Sequence, residues 1–271
     1  MTEALMSVRD LVIRYGGSSG PAAVDGVSFE VRPGEIVALV GESGSGKSSI
    51  SLAIMALLPA AAHVTGQILF EGADLASLDR RRMEDIRGAR IGMIFQEPMT
   101  CLNPVLSIAR QMTEGLIRHR RLPRAVARAQ ALAALADVGI PEPARVMGSY
   151  PHELSGGMRQ RVMIAAALAL DPALLLADEP TTALDVTVQA QVLELLVDIR
   201  NRTGKGVLLI THDIGAVAEI ADRVVVMKGG KVVEAGPWDQ VLHAPRDPYT
   251  ATLIGAHAAL EQALVPEADH D

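Results

Sequence analysis

The chain has little of what several protein classes require. Among 271 residues there is a single cysteine, Cys101, which excludes an intramolecular disulfide and any cysteine-rich metal site. Aromatic residues make up only 3%. Positive charge is in the minority, with Lys+Arg 25 against Asp+Glu 32 and a net charge of -7. That balance lacks the basic footprint of non-specific nucleic-acid binding, and no nucleic-acid partner is expected. Long hydrophobic runs are also missing, although 49% of the residues are hydrophobic. The longest unbroken run, Val162 to Leu170, is about half of the ~20 residues that a spanning helix needs. The first residues, MTEALMSVRD, carry acids and no apolar core of a secretory signal. The expectation is a soluble, reduced, cytoplasmic chain with a large buried core.

What is present alternates. Val8, Leu11, Ile13 and Tyr15 predict a first strand, Val27–Val31 a second and Glu35–Val40 a third, more apolar one. A helix is expected from Lys47 to about Leu58, then short strands at 66–72 and 90–96. From Pro98 to Asp137 the chain turns Arg- and Ala-rich with helical spacing, and Leu102, Val105, Ile108 and Met112 suggest one apolar face. After Leu154 helices and strands alternate: helix 156–170, strand 173–178, helix 187–202, strand 206–211, helix 213–221 and strand 223–228. Such alternation implies a parallel sheet covered by helices.

Gly41-Glu42-Ser43-Gly44-Ser45-Gly46-Lys47-Ser48 fits G-x-x-x-x-G-K-[ST], between a buried strand and a helix. Its glycines let successive N–H groups turn inward at phosphate oxygens, and the helix dipole favours the same anion. Lys47 would reach the outer phosphates of a nucleotide and Ser48 would ligate Mg2+. Lysine occurs otherwise only at Lys205, Lys228 and Lys231, so its place in this slot is not an accident of composition. No Asn-Lys-x-Asp run marks a guanine site. Downstream, the apolar run Leu174–Ala177 ends in Asp178 and Glu179. Adjacent strand residues face opposite ways, so one carboxylate can support a metal while the other aims at a water. Ser155-Gly156-Gly157 opens a long helix and offers a second anion-binding helix start. Two such starts in one chain suggest a site shared between two chains.

These motifs occur in a fixed order: GESGSGKS, FQEP with Gln96, LSGGMRQR, LLLADEP, ALD ending at Asp185, and THD with His212. Together they resemble the ATP-binding subunit of an ABC transporter over about residues 5–257. The resemblance implies an α/β, P-loop NTPase (ABC ATPase) core with a parallel sheet, an N-terminal antiparallel β-subdomain and an inserted helical subdomain. Residues 1–257 would form one ABC ATPase domain. Its core and β-subdomain would cover about 5–96 and 160–236, its helical subdomain about 97–159, and a short helical tail 237–271. ATP and Mg2+ are the implied cofactors. Gly41 to Ser49 would cradle the phosphates, and Tyr15 would stack on adenine. Ser48, Gln96 and Asp178 would serve the metal, and Glu179 would be the catalytic base. Gln96 and His212 would sense and orient the terminal phosphate. Ser155, Gly156 and Gly157 would cap the ATP of a partner subunit, with Asp185 at the seam.

The same resemblance implies partners and a place: a homologous second ATPase, two membrane permeases and an extracytoplasmic substrate-binding protein, at the cytoplasmic face of the cell membrane. Pro98–Pro104 would line the groove that receives a permease. Glu97–Thr100, Tyr150–Ser155, Thr181–Gln191 and His243–Thr250 resemble the peptide/nickel importer family. The short end after Leu253 suggests nickel or a nickel chelate as cargo, with dipeptides or oligopeptides as the alternative. A non-transport ATPase of the same superfamily and a purely regulatory nucleotide-binding module are the readings of another class. Retention of both Asp178 and Glu179 speaks against the latter.

Overall fold

The computed structural model describes residues 3–96, 101–181 and 185–264. Two sheets share the work. The first is antiparallel and four-stranded, in the order β2-β1-β4-β5, from β1 (Met6–Arg14), β2 (Ala22–Val31), β4 (His63–Phe70) and β5 (Ala73–Asp74). Its strands alternate: Val24, Val27, Phe29 and Val31 of β2 are buried while their neighbours face outward. The second sheet runs β10-β9-β3-β8-β7-β6. It comprises β3 (Ile36–Val40), β6 (Ile91–Ile94), β7 (Leu174–Asp178), β8 (Gly206–Thr211), β9 (Arg223–Lys228) and β10 (Lys231–Pro237). Its neighbours pair in parallel except β10, which closes the edge antiparallel to β9. Every residue of β3, β7 and β8 is buried, as expected of parallel strands covered on both faces.

This arrangement sets the site. In an open parallel sheet, residues just beyond the carboxyl ends of the strands converge at one edge. β3, β8, β7 and β6 are consecutive neighbours. Gly41, His212, Glu179 and Gln96 therefore follow the ends of four adjacent strands.

The helices are α1 (Lys47–Ile54), α2 (Arg80–Ile86), α3 (Ile108–Arg120), α4 (Arg124–Asp137), α5 (Pro143–Gly148), α6 (Gly156–Leu168), α7 (Val186–Thr203), α8 (Ile214–Ile220), α9 (Trp238–His243) and α10 (Pro248–Leu264). Three apolar clusters hold them. One joins α3 to α7 with one face of the parallel sheet. A second lies between the two sheets and α1. A small third one packs α8, α9 and α10 against β3 and β9.

The expected alternation is present, with three differences. The helix after the phosphate loop ends at Ile54 rather than near Leu58, because Ala56 takes a left-handed backbone, φ 48°. Val105 is 77% exposed and precedes α3, whose buried face is Ile108, Met112 and Leu116. Pro104 and the Ser107 cap end the supposed longer helix there. Helix α2, capped by the Asp79 carboxylate on Arg82 N–H at 2.8 Å, was not foreseen. Pro98–Thr100 of the expected permease groove, and Ala183 and Leu184 of the ALD run, lie outside the described residues.

Candidate active site

The phosphate loop folds as its glycines require. Gly41 has φ 152° and Gly46 φ 99°, and any Cβ there would come within 2.2 Å of a backbone oxygen, of Met227 and Ala23 respectively. No L side chain fits either position. Lys47 is buried and donates to the carbonyls of Gly41 at 2.7 Å and Glu42 at 2.9 Å, and to Ser45 Oγ at 3.4 Å. Burial lowers its pKa, and the nearby carboxylates of Glu179, Asp178 and Glu42 oppose that shift.

Beneath the loop, Asp178 closes β7. Its Oδ1 accepts from Ser48 Oγ at 3.3 Å and its Oδ2 from Ser51 Oγ at 2.8 Å. Burial pushes the Asp178 carboxyl above its usual range, and those two hydroxyls pull against the rise. Glu179 comes next, with φ 45°, a left-handed conformation that costs a non-glycine residue of order 1 kcal/mol. Its N–H is fixed to Ile210 O at 2.8 Å. Its carboxylate is held from two sides, by Gln96 Nε2 on Oε2 at 2.6 Å and His212 Nδ1 on Oε1 at 3.1 Å. The carboxylate is thus aimed by residues from the ends of β6 and β8.

A cavity of about 280 Å³ opens between these parts, lined by Ala23, Ser43, Gly44, Gly46, Lys47, Ser48, Ser49, Gln96 and Glu179. Gly41, Glu42 and Ser45 stand behind it and hold Lys47. Tyr15 is half-buried against the core between the sheets, with its hydroxyl 2.9 Å from Ser49 Oγ. The described residues thus bring all but four of the expected site residues together. Ser155, Gly156 and Gly157 are not part of the cavity lining. Ser155 caps its own helix, accepting from Met158 N–H at 3.3 Å, and Asp185 likewise caps α7 through Val188 N–H at 2.9 Å. A larger depression of about 800 Å³ lies on α3 and α4, lined in part by Arg110, Arg118, Arg124 and Arg128. Its lining lacks the phosphate loop and Glu179.

The oxygen donors suit a hard divalent cation. Ser48 and Gln96 line the cavity, Asp178 lies behind Ser48 with an oxygen 3.3 Å from its hydroxyl, and Mg2+ takes one or two protein oxygens together with substrate phosphates. Among the described residues no group of three His, Cys, Asp or Glu side chains is placed to hold a metal by itself.

Two contributors went unnoticed in the sequence. Ser51 lies one helical turn beyond Lys47, where the spacing alone could have put its hydroxyl beneath the loop. Tyr249 donates nothing that a local motif shows: its hydroxyl accepts Glu42 N–H at 3.0 Å across 207 positions.

Residues 24–182 match the family model described as ABC transporter. The chain is 55% identical over 258 residues to the peptidoglycan transport ATP-binding protein YejF of Agrobacterium fabrum, covering 94% of this chain and 47% of that one. It is 49% identical to the oligopeptide transport ATP-binding protein OppD of Bacillus subtilis, covering 96% of this chain and 73% of that one. It is 48% identical to the dipeptide transport ATP-binding protein DppD of Escherichia coli, covering 93% and 78%. The chain therefore spans about half the length of the first of these relatives. Among solved structures, the dimeric post-hydrolysis ATP-binding cassette MJ0796, bound to ADP and Pi, superposes with a TM-score of 0.76 at 30% identity, covering 86% of this chain and 98% of that one. The protein cbiO1 of Clostridium perfringens, part of the ABC transporter complex cbiONQ, gives the same TM-score and identity over 89% of this chain and 92% of that one. The phosphate loop, the aimed carboxylate and the two-sheet frame are those of an ATPase domain, and the chain belongs to the ABC transporter family.

Proposed function

We propose that the chain hydrolyses ATP at the cavity between the phosphate loop and Glu179, and that this powers import of peptides through a membrane permease. The observation that carries the first half is the Glu179 carboxylate, held between Gln96 at 2.6 Å and His212 at 3.1 Å in the cavity that Lys47 also lines.

The loop's inward N–H groups and the Lys47 ammonium bind and orient the β- and γ-phosphates. To do so Lys47 exchanges the Gly41 and Glu42 carbonyls for phosphate oxygens. Tyr15, anchored by Ser49, offers its ring to the adenine. Ser48, Asp178 and Gln96 would hold Mg2+, which when bound neutralises charge on the phosphates. Glu179 accepts the proton of the attacking water, while Gln96 and His212 fix its direction. His212 would also orient the terminal phosphate. Ser155, Gly156 and Gly157 face a nucleotide on a second chain, whose own site receives the same service. Closure of the two chains then completes each site, and hydrolysis releases it.

The second ATPase is proposed to be a homologous, non-identical subunit. Two permeases and an extracytoplasmic binding protein complete the assembly, with this chain at the inner face of the membrane. Among the described residues no helix is long and apolar enough to cross a membrane, which fits a permease-borne span. The helical subdomain would span about residues 97–159, between core segments of about 5–96 and 160–236, with a short helical tail at 237–271.

For the cargo, the relatives above are named for oligopeptides, dipeptides and peptidoglycan. The expectation of nickel has no support among them, and the peptide alternative takes its place. Uptake of a labelled dipeptide or oligopeptide in cells lacking this chain tests the reading. Loss of peptide uptake restored by the native chain, and not by Glu179→Gln, is expected. Unchanged peptide uptake with lost 63Ni uptake would overturn it.

A further inference from the structure

The chain's last helix is tied back to the phosphate loop. Glu234 of β10 accepts the N–H groups of Arg246 at 2.9 Å and Asp247 at 3.1 Å. Asp247 in turn accepts Tyr249 N–H at 2.8 Å, so the entry to α10 is pinned to the sheet edge. Tyr249, Leu253 and Ile254 pack on the cluster that contains Trp238, Val217 and Val226. From that anchored position the Tyr249 hydroxyl accepts Glu42 N–H at 3.0 Å, and the Lys228 ammonium lies 4.6 Å over its ring. The carbonyl of the same Glu42 accepts from Lys47. Glu42 is thus held at its N–H by α10 and at its C=O by Lys47 and by the Ser45 N–H at 3.2 Å, so Tyr249 is the contact that ties it to an element outside the loop and α1.

We propose that Tyr249 is a positioning residue for the phosphate loop, and that its hydroxyl couples nucleotide binding to α10. Lys47 must leave the Gly41 and Glu42 carbonyls when it meets phosphate. The loop must stay in place as the ammonium departs. Glu42 is exposed and offers no buried side chain to hold it, so the tyrosine hydroxyl supplies the fixed point. Coupling of this kind is reciprocal: a nucleotide that orders the loop also orders the helix that grips it. This inference rests on the ATP reading of the cavity.

Tyr249→Phe tests it in the full chain, because the ring, its packing and the Lys228 contact remain and only the hydroxyl goes. One neutral hydrogen bond predicts that KM and Kd for ATP·Mg2+ rise about 3- to 10-fold, with kcat changed less than about twofold. Hydrogen exchange supplies a second readout. In the native chain ATP should slow exchange of the amides of residues 249–254, and in Tyr249→Phe it should leave them unchanged. Equal KM and an equal nucleotide response in both proteins would overturn the proposal. So would a lowered thermal midpoint with KM unaltered, which would make the bond purely structural. If the native chain fails to bind ATP at all, the ATP reading itself falls. If the native chain binds and the variant matches it, only the coupling falls.

Discussion

Two helix starts in this chain are both built on glycine and serine and have opposite surroundings. At the phosphate loop, Lys47, Ser48 and Ser51 are already engaged with Gly41, Glu42 and Asp178, and Glu179 is already aimed. At the start of α6, Ser155 bonds only to its own helix, and a Cβ on Gly156 would meet open space. Glycine is required at Gly41 and Gly46 by the fold of this chain, whereas nothing in this chain requires it at Gly156. One half-site is explained by intramolecular contacts. The other finds no such account among the described residues, and the proposed second chain would supply it.

The largest expected effect comes from removing the proposed base. Glu179→Gln should lower ATP turnover by about 10²- to 10⁴-fold and leave the affinity for ATP nearly unchanged, with ATP-dependent dimers visible by sedimentation. Unaltered turnover would remove Glu179 from the role. Next is Lys47→Ala, which should weaken ATP binding by about 10- to 100-fold, the worth of a charge-assisted bond to phosphate. A titration with fluorescent ATP checks it. Gly156→Ala sharpens the contrast most cleanly. The new methyl meets nothing in this chain, so thermal stability and ATP binding by the isolated chain should stay as they are. Turnover should fall by about 10-fold as the methyl blocks close approach of another chain's nucleotide. Full activity would break the comparison.

The smallest effect concerns Asp178. An acid whose folded pKa is raised contributes stability that is present below its unfolded pKa and lost as pH rises through the folded one. Burial raises Asp178, so the folded chain holds that proton more tightly than the unfolded one. Asp178→Asn, which carries no charge at any pH, should therefore raise the thermal midpoint at pH 7. The advantage should shrink as pH falls into the carboxylate range. A midpoint that is lower at pH 7, or a difference that grows toward acid, would contradict the assignment of burial as the dominant cause.

Much of the site was legible because its chemistry is contiguous along the chain. The phosphate loop between a buried strand and a helix, and the carboxylates at the end of Leu174–Ala177, can each be read from a few neighbouring residues. The parallel sheet could be inferred from alternation, since buried parallel strands such as β3 and β8 are apolar throughout. Contacts that join distant positions were not legible. No local pattern announces that Tyr249 meets Glu42, or that Gln96 and His212 grip the same carboxylate from different strand ends. Val105 shows the reverse error: its spacing from Ile108 fits a helical face, yet the helix has not begun there. The nickel expectation failed to find support for a related reason, because an ATPase never touches the cargo and its sequence carries only indirect marks of it.

The central claim is that one chain binds ATP and two chains hydrolyse it. The specific ATPase activity measured against total chain concentration, from nanomolar to micromolar, tests this directly, with the second ATPase both absent and present. The account predicts that nucleotide stays bound at every concentration above its dissociation constant while activity per chain falls away on dilution. Activity per chain that is constant down to nanomolar concentration, from a species that sediments as a monomer, would contradict it.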